Sequence, residues 1–147
     1  SAFGVESRLV HFEFFRLNSD QEGLGKKGDL LGLEVNMRPS GGFTPDMINY
    51  AGSVDIHRLW ADMVLRDNVR LDPSRKTYYC VFVGRQDVRS YRHSHQELLR
   101  DWGHRVMHHE RMPEALTGAM GNTAYIAQCI SRDEAEAFIS YACEHRQ

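Results

Sequence analysis

Residues Leu33 to Gly42 read LEVNMRPSGG. Apolar Leu33, Val35 and Met37 alternate with polar Glu34, Asn36 and Arg38, and then Pro39, Gly41 and Gly42 end the pattern. A period of two sends successive side chains to opposite faces of a strand. The segment is therefore predicted as a strand over Leu30–Arg38 with an acid, an amide and a guanidinium on one face. The stretch RLVHFEFFRL, Arg8–Leu17, alternates in the same way, with Val10, Phe12 and Phe14 opposed to His11 and Glu13. A polar, glycine-rich segment, NSDQEGLGKKGD, joins the two. An antiparallel hairpin is the expected result.

The rest of the chain supplies further elements. Thr44-Pro45-Asp46 reads as a helix start, with Thr44 as N-cap and Gly52 as a stop. A second helix over about 55–66 carries Ile56, Leu59, Trp60, Met63 and Val64 at helical spacing. The polar run RDNVRLDPSRK then marks a boundary. Beyond it, TYYCVFVGR, HRVMHHERM and NTAYIAQCIS read as strands, SHQELLRDWG as a helix and PEALTGAMG as a loop or helical turn. The final helix, SRDEAEAFISYACEH, opens with Ser131 and Glu134 at capping-box spacing. The expected class is α+β with antiparallel sheets, in two parts: 1–70 with the polar strands, and 71–147 as a small α+β lobe.

Composition narrows the function classes. A 147-residue chain with 41% hydrophobic and 26% charged residues can build a packed core. A net charge of −2 lacks the basic excess of a dedicated nucleic-acid binder, so no nucleic-acid partner is expected. No apolar run approaches the roughly 20 residues that span a bilayer, and SAFGVESR has no signal-peptide pattern. No membrane association is expected. Three cysteines without CxxC spacing, Cys80, Cys129 and Cys143, read as reduced thiols of a cytoplasmic protein. Ser1 stands where an initiator methionine would, and the chain is expected to be part of a longer one.

The polar row carries the chemistry. Like-side positions on a strand recur every ~6.6–7 Å, and cross-strand neighbours lie about 5 Å apart. Hairpin pairing would set Glu13 beside Glu34 or Asn36. Two carboxylates that close repel, and a hard divalent cation, Mg²⁺ or Mn²⁺, relieves the repulsion with Glu and Asn oxygens as ligands. Arg38 would then clamp a phosphate oxygen, and Gly41 and Gly42 would let backbone N–H groups approach it. A plain solvated strand face shows the same alternation, but it does not explain an Asn inside a strand, where Asn is depleted.

The HFEFF segment followed by LEVNMRPSGG resembles the closing half of an ATP-grasp domain, in particular that of carbamoyl-phosphate-synthase-like ligases. The resemblance covers about residues 3–66, where acid, Glu-x-Asn-x-Arg and Gly-Gly fall in order; the part from Thr77 onward resembles the C-terminal lobe less specifically. It implies that Glu13, Glu34 and Asn36 hold the Mg²⁺ ions that bridge ATP phosphates, and that Arg38 meets the phosphate or an acyl-phosphate. It implies a parent that phosphorylates a small carboxylate with ATP before an amine or similar nucleophile displaces phosphate. The glycine-rich flap, the phosphate-binding lysines and the adenine segment of such enzymes lie N-terminal to these strands. The chain by itself is therefore expected to be inactive, with the N-terminal ATP-grasp lobe as its partner. The alternative is a non-catalytic α+β interaction module whose exposed apolar helix makes a homodimer contact.

Two patterns carry less. GLGKKG, Gly23–Gly28, satisfies G-x-G-x-x-G, but a strand follows it where a dinucleotide site needs a helix. Five of the eight histidines fall between His93 and His109. A zinc site needs about four ligands, and no cysteine joins at suitable spacing, so these read as surface histidines. His11 shares a face with Glu13, either lining the metal pocket or as a hydrogen-bonded strand residue. Cys80, Trp60 and Trp102 read as core.

Overall fold

The computed structural model describes residues 8–146. Among them the element order is β1 (His11–Arg16), β2 (Leu30–Asn36), α1 (Thr44–Gly52), α2 (Ile56–Arg66), β3 (Tyr79–Arg85), α3 (His95–Trp102), β4 (Val106–Arg111), a 3₁₀ turn (Glu114–Leu116), α4 (Thr117–Met120), β5 (Thr123–Cys129) and α5 (Arg132–Cys143). The class is α+β, with two antiparallel sheets, β1-β2 and β3-β5-β4. No helix among the described residues is long and apolar enough to cross a membrane. The chain divides into two compact units. One holds residues up to 45 together with 55–71, and the other holds 46–54 together with 72–147. Most of α1 thus lies with the C-terminal residues, whereas the sequence pattern puts the boundary near residue 70 and everything before it in one part.

In the first unit β1 and β2 form a hairpin. The register places Glu13 opposite Glu34 and His11 opposite Asn36. A bulge then shifts the pairing: Phe14 faces Gly32, and Leu33 is left without a partner. An extra residue of this kind turns the strand locally and breaks strict alternation. The strand also stops at Asn36, so Met37 and Arg38 fall outside it. The apolar face is uncovered: Phe12 is 53% exposed, Phe14 56% and Val35 44%, with the Phe12 and Phe14 rings stacked at 6.1 Å. Helix α2 is capped by Asp55, whose side chain accepts from Arg58 N at 3.0 Å. Its Ile56 and Met63 are buried, but Trp60, Val64 and Leu65 are exposed. Trp60 is therefore not a core residue. Helical spacing selects a stripe and does not say how wide the covered part is.

The second unit has a closed core. β5 lies between β3 and β4, and Ala124, Tyr125, Ile126, Ala127 and Cys129 on it are buried. A central strand covered on both faces reads as a continuous apolar run, as TAYIAQC does. One face packs Val83, Tyr125, Ala127 and Cys129 with Leu98 of α3 and Ala135, Phe138 and Ala142 of α5. On the other face Gln128 Nε2 donates to the Tyr50 carbonyl at 2.6 Å, and Tyr78 N donates to that of Ala51 at 2.8 Å. Trp102 packs partly buried against this core. Cys80 is half-buried, and burial pushes its thiol up to about 11.

Two glycines set how tightly this unit closes. A Cβ on Gly84 would lie 2.0 Å from the Met120 carbonyl oxygen, and Gly121 has φ +79° with a Cβ position 2.7 Å from Gly84 carbon. The backbones touch there, and Asn122 N donates to the Arg85 carbonyl at 2.7 Å. Capping differs from expectation. Ser94 and Glu97 form a complete reciprocal box at the start of α3. Ser131 accepts from Glu134 N, but the Glu134 carboxylate accepts instead from Ile130 N at 2.7 Å and from Arg105 at 2.8 Å.

Candidate metal centre

The hairpin register determines which polar side chains meet. Directly opposed residues project to the same face. Glu13 and Glu34 form one such pair, and His11 and Asn36 the next. One ligand atom from each of His11, Glu13 and Glu34 lies within 4.8 Å of the others. His11 Nε2 is 3.2 Å from Glu13 Oε1, and Asn36 Nδ2 donates to Glu34 Oε1. The four side chains thus form two linked pairs side by side.

Exposure grades across the cluster. The His11 side chain is 23% exposed and that of Glu13 44%. His11 Nδ1 is buried without a hydrogen-bond partner. The imidazole therefore offers one nitrogen to Glu13 and holds the other out of water. The donor set is two carboxylates, one imidazole and one amide. Carboxylate and amide oxygens suit a hard cation, and the imidazole nitrogen suits a borderline one such as Mn²⁺. Asn36 directs its NH₂ at Glu34, which satisfies a carboxylate lone pair in the absence of a cation. Turning the amide about its last torsion would present the oxygen instead. The residues thus fit a divalent cation of the Mg²⁺ or Mn²⁺ type.

Arg38, Gly41 and Gly42 lie beyond the end of β2. The Arg38 guanidinium donates through Nη1 to the Pro39 carbonyl at 3.0 Å. Gly42 takes φ +61°, and a Cβ at Gly41 or Gly42 would meet nothing within 4 Å. The turn is open on that side. The structure therefore gathers Glu13, Glu34 and Asn36 with His11, and leaves Arg38 turned onto its own backbone. The sequence signal for His11 was its shared face with Glu13. The isolated Gly32 within the strand pattern was the available signal for the bulge at Leu33. GLGKKG lies in the loop between β1 and β2, where Leu17 N and Gly28 N bond across to Asp29 O at 2.9 Å and Leu17 O at 2.8 Å. It is a hairpin connection and not a dinucleotide turn.

Compared with family models, curated proteins and solved structures, the chain matches none.

Proposed function

We propose that the chain is the metal-bearing C-terminal part of an ATP-grasp ligase of the carbamoyl-phosphate-synthase type. The observation that carries this reading is the facing pair of Glu13 and Glu34, flanked by Asn36, in the order acid, Glu-x-Asn-x-Arg, Gly-Gly. Glu13 and Glu34 supply anionic oxygens to Mg²⁺ or Mn²⁺, and Asn36 orients Glu34 through its amide. When bound, the metal neutralises charge on the phosphates of ATP. Arg38 leaves the Pro39 carbonyl to hold an oxyanion of the phosphate or of a small carboxylate substrate. Gly41 and Gly42 leave room for that ligand along the backbone. An N-terminal ATP-grasp lobe, carrying the nucleotide flap, completes the cleft and covers the exposed Phe12, Phe14 and Val35 face. The three free thiols fit a cytoplasmic setting.

The test is Mn²⁺ binding to the chain alone, read as paramagnetic broadening. Resonances of His11, Glu13, Glu34 and Asn36 should broaden first, and Glu34→Gln should remove the effect. Without metal, Glu34→Gln should leave the thermal stability unchanged or slightly higher, by less than about 1 kcal/mol, because relief of carboxylate repulsion is screened on an open face. A clear loss of stability in metal-free Glu34→Gln would make Glu34 a structural hydrogen-bonding residue and remove the metal reading. No ATP turnover by the chain alone is expected, since positioning and charge clamping both need the second lobe.

A second reading rests on the apolar surface. Leu65 of α2 is 81% exposed and Trp60 39%. In a non-catalytic module these residues would form a homodimer contact. Concentration-dependent sedimentation separates the two: a dimer that survives millimolar metal and is lost in Leu65→Glu favours the module.

A further inference from the structure

The second unit holds a buried guanidinium that has no counter-ion among the described residues. Arg85, at the end of β3, is 6% exposed. Its Nε donates to the Ala142 carbonyl at 2.7 Å and its Nη1 to the His93 carbonyl at 2.8 Å. Its Nη2 is buried with no hydrogen-bond partner. No carboxylate among the described residues lies within salt-bridge distance of it. The guanidinium is sandwiched between rings, 4.7 Å from the Tyr91 centroid and 5.6 Å from that of Tyr125. Ring faces and carbonyls soften the desolvation of a buried cation but leave its net charge uncancelled.

That charge sits under a histidine pair. Register places His109 of β4 directly opposite Tyr125 of β5. The Tyr125 hydroxyl is 2.7 Å from His95 Nδ1, and the His95 and His109 rings meet edge to face at 5.3 Å. Both histidines are exposed, and His95 is the first residue of α3, where the Ser94–Glu97 box takes the N–H groups of Ser94 and Glu97 and leaves those of His95 and Gln96 outside it. The other histidines with a charged neighbour have acids: His11 with Glu13, His93 with Glu144 and His108 with Glu110. His95 forms no ion pair with an acid among the described residues. Burial, then His109, then Arg85 hold its imidazole below the usual histidine range. The Glu97 carboxylate in the first turn of α3 is taken up by Ser94 N at 2.8 Å, and Asp87 by two hydrogen bonds from Arg111 at 2.7 and 2.8 Å.

We propose that the surface formed by His95 and His109 over Tyr125, backed by Arg85, is a binding site for a small oxyanion, a phosphate or carboxylate group. The neutral His95 ring bonds Tyr125 through Nδ1 and presents Nε2 outward as a donor. The anion takes that donor, His109 and the His95 and Gln96 amides at the start of α3, and its charge offsets the guanidinium beneath. The site lies wholly within the second unit and is independent of the metal reading.

The test follows the imidazole signals while the chain is titrated with inorganic phosphate, and separately with acetate, at constant ionic strength in chloride. His95 and His109 should shift saturably, while exposed His57 and His104 should not. The tighter of the two anions names the ligand group. His95→Asn and His109→Asn, both at exposed positions, should each weaken binding by about tenfold with folding intact. Linear shifts shared by His57 and His104, or saturable binding that survives both substitutions, would overturn the proposal.

Discussion

The two antiparallel sheets use similar strands and reach different ends. β1 and β2 carry Phe12, Phe14, Phe15, Leu30, Leu33 and Val35, and each of these is more than 40% exposed. The β3-β5-β4 sheet has Tyr125, Ile126 and Cys129 at 1% exposure or less. The difference lies not in apolar content but in what covers it. A third strand makes β5 central, and α3 and α5 close one face over it. An isolated two-stranded sheet is marginal in water, whereas three strands with helices can stand alone. The second unit covers its own central strand, and the first presents an apolar face and the polar face of Glu13 and Glu34 at once.

Phenylalanines give the largest test of this contrast. Phe138 is fully buried and meets Trp102 edge to face at 5.5 Å. Phe138→Ala should cost about 3–5 kcal/mol in chemical denaturation, the usual range for emptying a buried aromatic site. Phe14→Ala, at a ring 56% exposed, should cost less than about 1 kcal/mol. Equal losses would mean that the hairpin face is covered in solution.

Glycines offer a smaller version. Gly84→Ala drives a methyl into the Met120 carbonyl and should cost about 1–3 kcal/mol, the range for overpacking. Gly32→Ala in β2 meets nothing within 4 Å and should be neutral or slightly stabilising, since it restricts the unfolded chain. The measurement is the shift in urea midpoint for both variants. A neutral Gly84→Ala would show that the α4 turn yields without cost.

The smallest effect is electrostatic. Hydrogen bonds from Arg100 and from the Tyr141 hydroxyl lower the Asp101 carboxyl from 3.8 to about 2. A depressed carboxyl adds stability that is present above its unfolded value and is lost as pH falls through the folded one. Between about pH 4 and pH 2 the second unit should therefore lose part of its stability, and Asp101→Asn should flatten that part of the profile. Solvent exposure keeps the effect small. Melts across this window, compared with those of wild type, check it.

Much of this was legible in sequence, and the misses have physical causes. The strands and helices follow from period and punctuation. The facing of Glu13 and Glu34 follows from two alternating segments joined by a loop. The bulge at Leu33 does not, because LEVN alternates without a break and the slip is set by the partner strand. Arg38 falls outside the strand because pairing ends at His11 opposite Asn36, although Leu9 and Val10 continue the chain. Ser94-x-x-Glu97 and Ser131-x-x-Glu134 look alike, yet only the first closes its box, since Arg105 and Ile130 N compete for Glu134. The oxyanion surface was invisible for the same kind of reason. Arg85, His95, His109 and Tyr125 come from three strands and a helix, and only the register of β5 brings them together.

That register also sets a schedule for synthesis. β5 is the sole hydrogen-bonded neighbour of both β3 and β4 among the described strands, yet it is made after them. On a ribosome, β3 must wait for the chain to extend from Arg85 to Cys129 before it can pair. At about 5–20 residues per second that interval lasts seconds, far longer than a hairpin needs to form. Throughout it, the apolar residues of β3 are available to any sticky surface nearby. The nascent chain is most exposed to aggregation and to chaperones just before β5 emerges. A stop codon placed within β5 would therefore leave the second unit without a sheet rather than with a shorter one.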